Sequence, residues 1–254
     1  MITGRELCGD DELAYERSRT RFDPEAGMTL DDTYCLAHLP LIDPSHPRTI
    51  PSKDGTHYRM GRHPRVFSLV LPIPGEALRQ SRAYCELEDQ LRGSKFSRKV
   101  AWRLLDHRRD KVHATICGSL STDRRPWIDP AIRRELASSG PVLVEVRGLF
   151  SGNVNRGRLY LRVYPERRNG ANMFHQIQRV LSRPVTDLYV VGLWNLVDDL
   201  DLDEATALSD MIGRWWNRPI LRFEADSLWL LAASDDLVLD SSVCEILPLS
   251  LNRY

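Results

Sequence analysis

The chain has 254 residues, of which 42% are hydrophobic and 28% charged, and its 35 Lys and Arg balance its 35 Asp and Glu. These values are typical of a globular protein, and the length suffices for one two-lobed domain or two small ones. The zero net charge argues against bulk electrostatic attraction to nucleic acid, and no apolar run approaches the roughly 18 residues that a membrane span needs.

The N-terminus and the cysteines indicate a reducing compartment. Residues 1–22 lack the apolar stretch of a secretory signal. Five cysteines, an odd number, occur without a Cys-x-x-Cys motif, at positions 8, 35, 85, 117 and 244. We therefore expect free thiols and a cytoplasmic location.

Residues 1–65 are predicted to form an irregular extension packed on the main domain. Residues 1–19 are charged and weakly apolar, as in a frayed helix or a disordered arm. The remainder is rich in Pro, Asp, His and Gly, with one strand candidate at 33–41. Cys35 and His38 have the spacing of two zinc ligands, but no second pair completes a site, so we expect no metal.

From residue 66 onward, strand patterns and helix patterns follow one another regularly. A helical pattern runs over 75–107 with a break at 93–94, and Asp129-Pro130 has the composition of a helix start. The other predicted helices are 129–138, 171–181 and 203–216. The predicted strands are 66–72, 111–118, 142–150, 158–164, 188–193, one or two within 220–232, and 243–249.

The strand at 111–118 carries the most informative side chains. Its apolar residues alternate with Lys111, His113 and Thr115, which therefore share one face. An imidazole moves protons near neutral pH, and a hydroxyl can donate to a phosphate oxygen. The pattern predicts a phosphate-handling site with Lys111 as a substrate ligand. A His-x-Thr tripeptide is common by chance, so a half-exposed strand histidine is the alternative.

The middle third of the chain is basic. Residues 92–168 hold 18 Lys and Arg against 7 Asp and Glu, whereas the residues that follow hold 6 against 13. The basic helix 97–111 and Arg124 and Arg125 are candidates for steering a phosphate to the site, with an ordinary solvated surface as the alternative. Trp127, Tyr160 and Tyr164 are candidates for stacking a base, with rim or core aromatic residues as the alternative.

The second half of the chain weakly repeats the pattern of the first. When the strand at 188–193 is aligned with the strand at 111–118, Tyr189 falls on His113. The same shift places the helix at 129–138 within the last predicted helix, and the strand at 142–150 on the strand that follows it. A repeated helix–strand–helix–strand unit is stronger evidence than a tripeptide.

These residues resemble the two-histidine (2H) phosphoesterase superfamily, which includes 2′-5′ RNA ligase-like proteins and cyclic nucleotide phosphodiesterases. His113-Ala114-Thr115 matches the first His-x-Thr/Ser motif, and residues 223–249 are similar to the C-terminal strand pair. The resemblance covers roughly residues 66–250. It implies an α+β fold of two similar lobes, at about 66–150 and 151–254 with strands possibly exchanged. Antiparallel sheets and helices would surround a central groove on a pseudo-two-fold axis.

The second motif of the superfamily is degenerate in this chain, where Tyr189-Val190-Val191 stands in its place. The resemblance implies metal-independent chemistry without a cofactor, in which one histidine is the base and the other the acid. It gives His113 the role of general acid or base and Thr115 that of phosphate ligand. Tyr189 is a poor substitute for an acid, since its ordinary pKa is near 10.

Three functions follow as alternatives. The first is a phosphoesterase acting on a cyclic or 2′,5′-linked nucleotide or an RNA end. The second is a catalytically weakened relative that binds a nucleotide, RNA or a protein. The third is a structural protein whose groove is filled by residues 20–65.

Overall fold

The computed structural model describes residues 5–250 and has an α+β fold with two antiparallel sheets flanked by helices. The strands are β1 (Glu6–Leu7), β2 (Arg62–Pro72), β3 (His113–Thr122), β4 (Val142–Ser151), β5 (Arg158–Arg168), β6 (Ala171–Asn172), β7 (Val190–Asn195), β8 (Pro219–Ala225), β9 (Ser227–Asp235) and β10 (Ser241–Pro248). The helices are α1 (Tyr15–Ser18), α2 (Asp32–Ala37), α3 (Leu39–Ile42), α4 (Gly75–Gln80), α5 (Arg82–Arg92), α6 (Arg103–Arg108), α7 (Pro130–Ser138), α8 (Met173–Val180) and α9 (Leu202–Trp215), with 3-10 turns at Ser97–Lys99 and Arg109–Lys111.

The two sheets meet along two edge strands. In one sheet β8 pairs with β4 and β4 with β5, and β5 also pairs with β7 and with the short β1 and β6. In the other sheet the order is β10-β9-β2-β3. Within the described residues β3 pairs with β2 alone and β7 with β5 alone, yet β3 and β7 contact each other. The junction between the sheets therefore lies between β3 and β7.

The N-terminal extension is anchored in the same hydrophobic core as the sheets. Tyr15 and Tyr34 are both fully buried. The Tyr15 hydroxyl donates to the carbonyl of Val163 at 2.6 Å, and that of Tyr34 donates to the carbonyl of Leu196 at 2.6 Å. A buried tyrosine needs a partner for its hydroxyl, so these bonds tie the extension to β5 and to the end of β7.

Some predicted elements differ from those of the structure. The strand expected at 33–41 is wrong, since this segment forms α2 and α3. The cause is local: the Asp31 carboxylate accepts from the backbone N–H of Tyr34 and caps α2. Within the segment 1–19, which we expected to be frayed or disordered, positions 1–4 lie outside the described chain, and the rest include β1 and α1.

The helix starting at Pro130 is as predicted. The Asp129 carboxylate accepts from the backbone N–H of Ala131 at 2.7 Å, so it satisfies one of the free donors of the first turn. The helical pattern expected after the break at 93–94 and up to residue 107 forms a shorter helix, with a 3-10 turn followed by α6.

The spacing of the repeat is one position longer than the alignment of His113 with Tyr189 implies. β3 begins at position 113 and β7 at 190, while β4 begins at 142 and β8 at 219, so the two pairs of strands have the same spacing. In this register His113 falls on Val190. A shift of one residue exchanges the two faces of a strand, so this difference decides which β7 side chains face β3.

None of the helices between residues 5 and 250 is long and apolar enough to cross a membrane. All five cysteines are free thiols, and Cys8, Cys35 and Cys117 are buried.

Candidate functional site

His113 and Thr115 lie together on one face of β3, while Ala114 and Ile116 on the other face are buried in the core. Both residues line a cavity of about 230 Å³, here called the His113 cavity. Its other lining residues are Arg108, Arg158, Tyr160, Leu188, Val190, Gly192 and Asp236. The alternation of β3 therefore presents an imidazole and a hydroxyl to one cavity, in which Thr115 is exposed to solvent.

His113 is a neutral proton acceptor at neutral pH. Its Nδ1 lies 2.6 Å from the carbonyl oxygen of Lys111, and since a carbonyl only accepts, Nδ1 carries the proton and Nε2 is the free acceptor. Burial, together with the nearby charges of Arg108 and Arg158, lowers the pKa of His113 to about 4 despite the Lys111 bond. Such a group is suited to take a proton or to accept a hydrogen bond.

The β7 side of the cavity is apolar. Val190 and Gly192 face His113 and Thr115, and neither side chain has a polar atom. Tyr189 and Val191 are 0% exposed on the opposite face of the strand. Because alternate residues of a strand point in opposite directions, Val190 and not Tyr189 lies on the cavity side opposite His113.

Tyr189, the predicted acid partner, is a core residue. Its hydroxyl donates to the carbonyl of Thr186, and its ring packs edge-on against Phe174 with centroids 4.9 Å apart. Burial raises the pKa of Tyr189. The structure therefore does not bring Tyr189 to the cavity, and its position gives it no access to a ligand there.

Arg108, at the end of α6, reaches across the junction to β7. Its Nη1 donates to the carbonyl of Leu193 at 3.2 Å and its Nη2 to that of Gly192 at 2.5 Å. The residue is 7% exposed, and its Nε has no hydrogen-bond partner among residues 5–250. Burial and the nearby Arg158 lower the pKa of Arg108 to about 9, which still leaves it charged at neutral pH. The cavity thus contains a buried cation held by backbone carbonyls.

Arg158, on β5, supplies a second guanidinium. Its Nη1 donates to the carbonyl of Asp236 at 2.9 Å and lies 3.5 Å from Nε2 of His38. Burial is the main cause that lowers the pKa of His38 to about 3, and the charge of Arg158 is the next. His38 is therefore a neutral acceptor next to the guanidinium of Arg158. The cation is therefore positioned by neutral acceptors.

Asp236 is the acidic residue of the lining, and it is already paired. Tyr58 donates to Oδ2 at 2.7 Å, and Nε2 of His63 lies 3.3 Å from Oδ1. Burial alone would raise the pKa of Asp236, but these bonds and the nearby charges outweigh it and lower the pKa to about 2. Asp236 in turn raises the pKa of His63. Tyr58 and His63, both from residues 1–65, therefore partly offset the charge of the Asp236 carboxylate.

The predicted substrate ligand Lys111 lies outside the cavity lining, because its Nζ donates to the carbonyl of Ser241 at 2.9 Å. Lys111 lies in the 3-10 turn before β3, where its side chain joins that turn to the start of β10.

Arg124, Arg125 and Trp127 lie beyond the far end of β3. His113 pairs with Pro72 and Thr122 with Val66 on β2, six residues apart, which is roughly 20 Å at the rise of a strand. Arg125 forms an ion pair with Glu245 at 2.5 Å, and Trp127 is 80% exposed. The structure does not bring these three residues to the cavity, because β3 extends several residues past the motif.

Arg158 and Asp236 were missed by sequence reasoning, and Arg108 was considered only as one residue of the basic helix 97–111. Arginines are frequent in this region, so neither one stands out by type. One signal existed: Gly192 interrupts an apolar strand, and a glycine there often marks a close approach by another group. Which group approaches depends on the pairing of β5 with β7, which the sequence does not specify.

Among the described residues, no group of three or more His, Cys, Asp or Glu side chains is arranged to hold a metal ion. The spacing of Cys35 and His38 does not produce such a group, since Cys35 is a free buried thiol and His38 faces Arg158.

Comparisons with known proteins leave the family open. No protein-family model and no curated protein matches the chain. Among solved structures, the chain is similar to the crystal structure of TT0787 of Thermus thermophilus, with 10% sequence identity over 72% of this chain and 97% of that one, and a TM-score of 0.36. A superposition this loose transfers no activity, so the assignment depends on the cavity itself.

Proposed function

We propose that the His113 cavity binds the phosphate group of a nucleotide or an RNA end, and that the protein hydrolyses a cyclic or 2′,5′-linked phosphodiester there slowly. His113 would be the general base and Thr115 a donor to a phosphate oxygen. The observation that carries this proposal is the combination of a neutral histidine with two guanidinium groups in one cavity. The guanidinium groups can bind an anionic phosphodiester, and the neutral histidine can take a proton from the attacking water.

Charge supports an anionic ligand. Arg108 and Arg158 are both cations, whereas the Asp236 carboxylate already accepts from Tyr58 and pairs with His63. With two guanidinium groups and one carboxylate, the lining carries an excess of positive charge, and an anion that enters the cavity offsets it. The volume of about 230 Å³ suits a phosphate group and leaves the base of a nucleotide outside.

The expected rate is low because the cavity offers one good proton-transfer group. Val190 and Gly192 stand opposite His113 and have no proton to give. Tyr160 also lines the cavity, but burial raises its pKa, so it donates a hydrogen bond more readily than a proton. The arginines can stabilise developing charge, and a general acid for the leaving oxygen is the missing part.

The same apolar β7 face favours the second candidate, a binding module that has lost turnover. In that case the cavity retains a phosphate group without cleaving it. The third candidate, a groove filled by residues 20–65, has less support. The extension supplies His38, Tyr58 and His63 behind the cavity, but no residue from 20–65 belongs to its lining.

We also propose that the two sheets are related by a pseudo-two-fold axis between β3 and β7. The equal spacings from β3 to β7 and from β4 to β8 support this arrangement. Each of the two edge strands also follows a helical segment, α4–α6 before β3 and α8 before β7. The arrangement is the one expected for a 2H-type protein whose second motif has been replaced.

Calorimetric titration with a nucleoside 3′-monophosphate, and product analysis after incubation with a nucleoside 2′,3′-cyclic phosphate, test the proposal. We expect saturable binding and slow formation of a monophosphate. His113→Asn should stop hydrolysis, whereas His107→Asn, at an exposed histidine of α6, should leave binding and hydrolysis unchanged. Binding without any turnover would select the binding module, and the absence of binding by any phosphate ester would overturn the proposal.

A further inference from the structure

Arg158 occupies the space where a second motif on β7 would present its side chain. A Cβ atom added to Gly192 would lie 2.2 Å from Nε and 2.4 Å from Nη2 of Arg158. Atoms this close cannot coexist, so the guanidinium lies over β7 because residue 192 is glycine. Any larger residue at this position must displace Arg158 from the strand.

The guanidinium of Arg158 keeps one donor atom for a ligand. Nη1 interacts with Asp236 and His38. Nε is buried without a hydrogen-bond partner among residues 5–250, and together with Nη2 it faces Gly192. Nη2 therefore remains as the donor to one oxygen of a phosphate group in the cavity.

Arg108 completes the arrangement from the other side of the junction. Its Nη1 and Nη2 donate to backbone carbonyls of β7, its Nε is buried without a partner, and no carboxylate within the described chain forms an ion pair with it. Two guanidinium groups therefore converge on one cavity, each positioned by neutral acceptors.

We propose that Arg108 and Arg158 replace the missing polar motif of β7 and make the His113 cavity selective for a dianionic phosphate monoester over a monoanionic phosphodiester. This inference rests on the proposed function, because it concerns the same phosphate site. The ligand class is a nucleotide or RNA end with a terminal 2′- or 3′-phosphate. Arg108 and Arg158 together outweigh the single carboxylate of Asp236, and the remaining positive charge attracts a dianion more strongly than a monoanion. His113, being neutral, contributes an acceptor and no charge. The product of diester hydrolysis would then bind more tightly than the substrate.

The test compares the affinities of a nucleoside 3′-monophosphate and the matching 2′,3′-cyclic phosphate by calorimetry at pH 7.5, where the monoester is a dianion. We expect the wild-type protein to bind the monoester at least about tenfold more tightly. Arg158→Met should reduce this preference to less than about threefold, and Gly192→Ala should do the same with Arg158 still in the chain. Arg214→Met, at an exposed arginine of α9, is the matched control and should keep the wild-type preference.

Arg158→Lys separates charge from geometry, since lysine keeps the cation and lacks the planar guanidinium. We expect an intermediate preference, and thermal melting of each variant shows that it is folded. If the wild type binds both ligands equally, or if folded Arg158→Met and Gly192→Ala keep the preference, the inference is wrong while the phosphate site stands. If neither ligand binds the wild type, the phosphate site itself is wrong.

Discussion

The edges of β3 and β7 face each other across the same cavity and present opposite chemistry. β3 contributes His113 and Thr115, whereas β7 contributes Val190 and Gly192. The polar groups on the β7 side come instead from Arg158 on the neighbouring strand and from Arg108 on α6. The comparison shows that a strand without polar side chains, here β7, can leave room for polar side chains from neighbouring elements. Gly192 contributes no side chain of its own, and this absence leaves the space that the guanidinium of Arg158 occupies.

Loss of the β3 histidine should have the largest effect. His113→Ala removes the only proton acceptor proposed for the reaction, so hydrolysis of a 2′,3′-cyclic nucleotide should fall by about 10²–10⁴-fold. His107→Ala should leave the rate unchanged. Initial rates measured by chromatography of the monophosphate product check this expectation. A fall of less than tenfold would mean that another group accepts the proton.

The β7 side should make the fold sensitive to acid. His38 contacts Arg158, is 1% exposed and has a pKa lowered to about 3. As the pH falls below 6.5, His38 therefore becomes protonated in the unfolded chain before it does so in the folded protein. Stability present above pH 6.5 is therefore lost as the pH falls toward 3, by about 2 kcal/mol at pH 5 from this group. His113 has a pKa lowered to about 4 and adds a loss of the same sign.

Urea unfolding at pH 7 and pH 5 measures this loss. His38→Gln keeps an acceptor near Arg158 and removes the titrating group. The free energy of unfolding of this variant should therefore fall less between pH 7 and pH 5 than that of the wild type, by about 2 kcal/mol. His57→Gln, at an exposed histidine, should behave like the wild type. Equal losses for all three proteins would show that His38 is protonated in the folded state.

A histidine restored on the cavity face of β7 should raise the rate. Val190→His places an imidazole opposite His113, and a gain of about tenfold in cyclic phosphate hydrolysis is expected, or about 1.4 kcal/mol of barrier. Val191→His is the matched control, because it points into the core and should lower the melting temperature without any gain in rate. A gain from Val191→His and none from Val190→His would reverse the assigned register of β7.

Thr115 should have the smallest effect of the residues tested. Thr115→Val keeps the shape of the side chain and removes one hydroxyl donor, so the affinity for a nucleoside 3′-monophosphate should fall by about 1 kcal/mol, roughly fivefold. Calorimetry checks this value, and Thr206→Val, at an exposed threonine of α9, is the control. An unchanged affinity would remove Thr115 from the phosphate site.

The local pattern of the sequence predicted that His113 and Thr115 share one face of β3, and it predicted many of the helices and strands, because those signals are local. Alternation placed His113 and Thr115 on one face, and the cap at Asp129 predicted the start of α7. The β7 half depends on long-range pairing. A one-residue error in register selected Tyr189 instead of Val190, and the repeat alone was too weak to correct it.

The meeting of two arginines in the cavity could not be predicted from the sequence, for a related reason. Arg108 and Arg158 come from different elements and meet only because β5 pairs with β7 and β7 contacts β3. The extension was also misjudged at 33–41, where one side-chain cap at Asp31 turns an apolar segment into a helix. Local propensity gives way to tertiary packing and to capping in such segments.

A crystal structure of the complex with a nucleoside 3′-monophosphate tests most directly whether the His113 cavity is a phosphate site. We expect a phosphate group in the cavity, with Nη2 of Arg158 donating to one of its oxygens and Nε2 of His113 within hydrogen-bond distance of the ligand. A phosphate group bound elsewhere on the protein, with the cavity between β3 and β7 empty, would contradict this assignment.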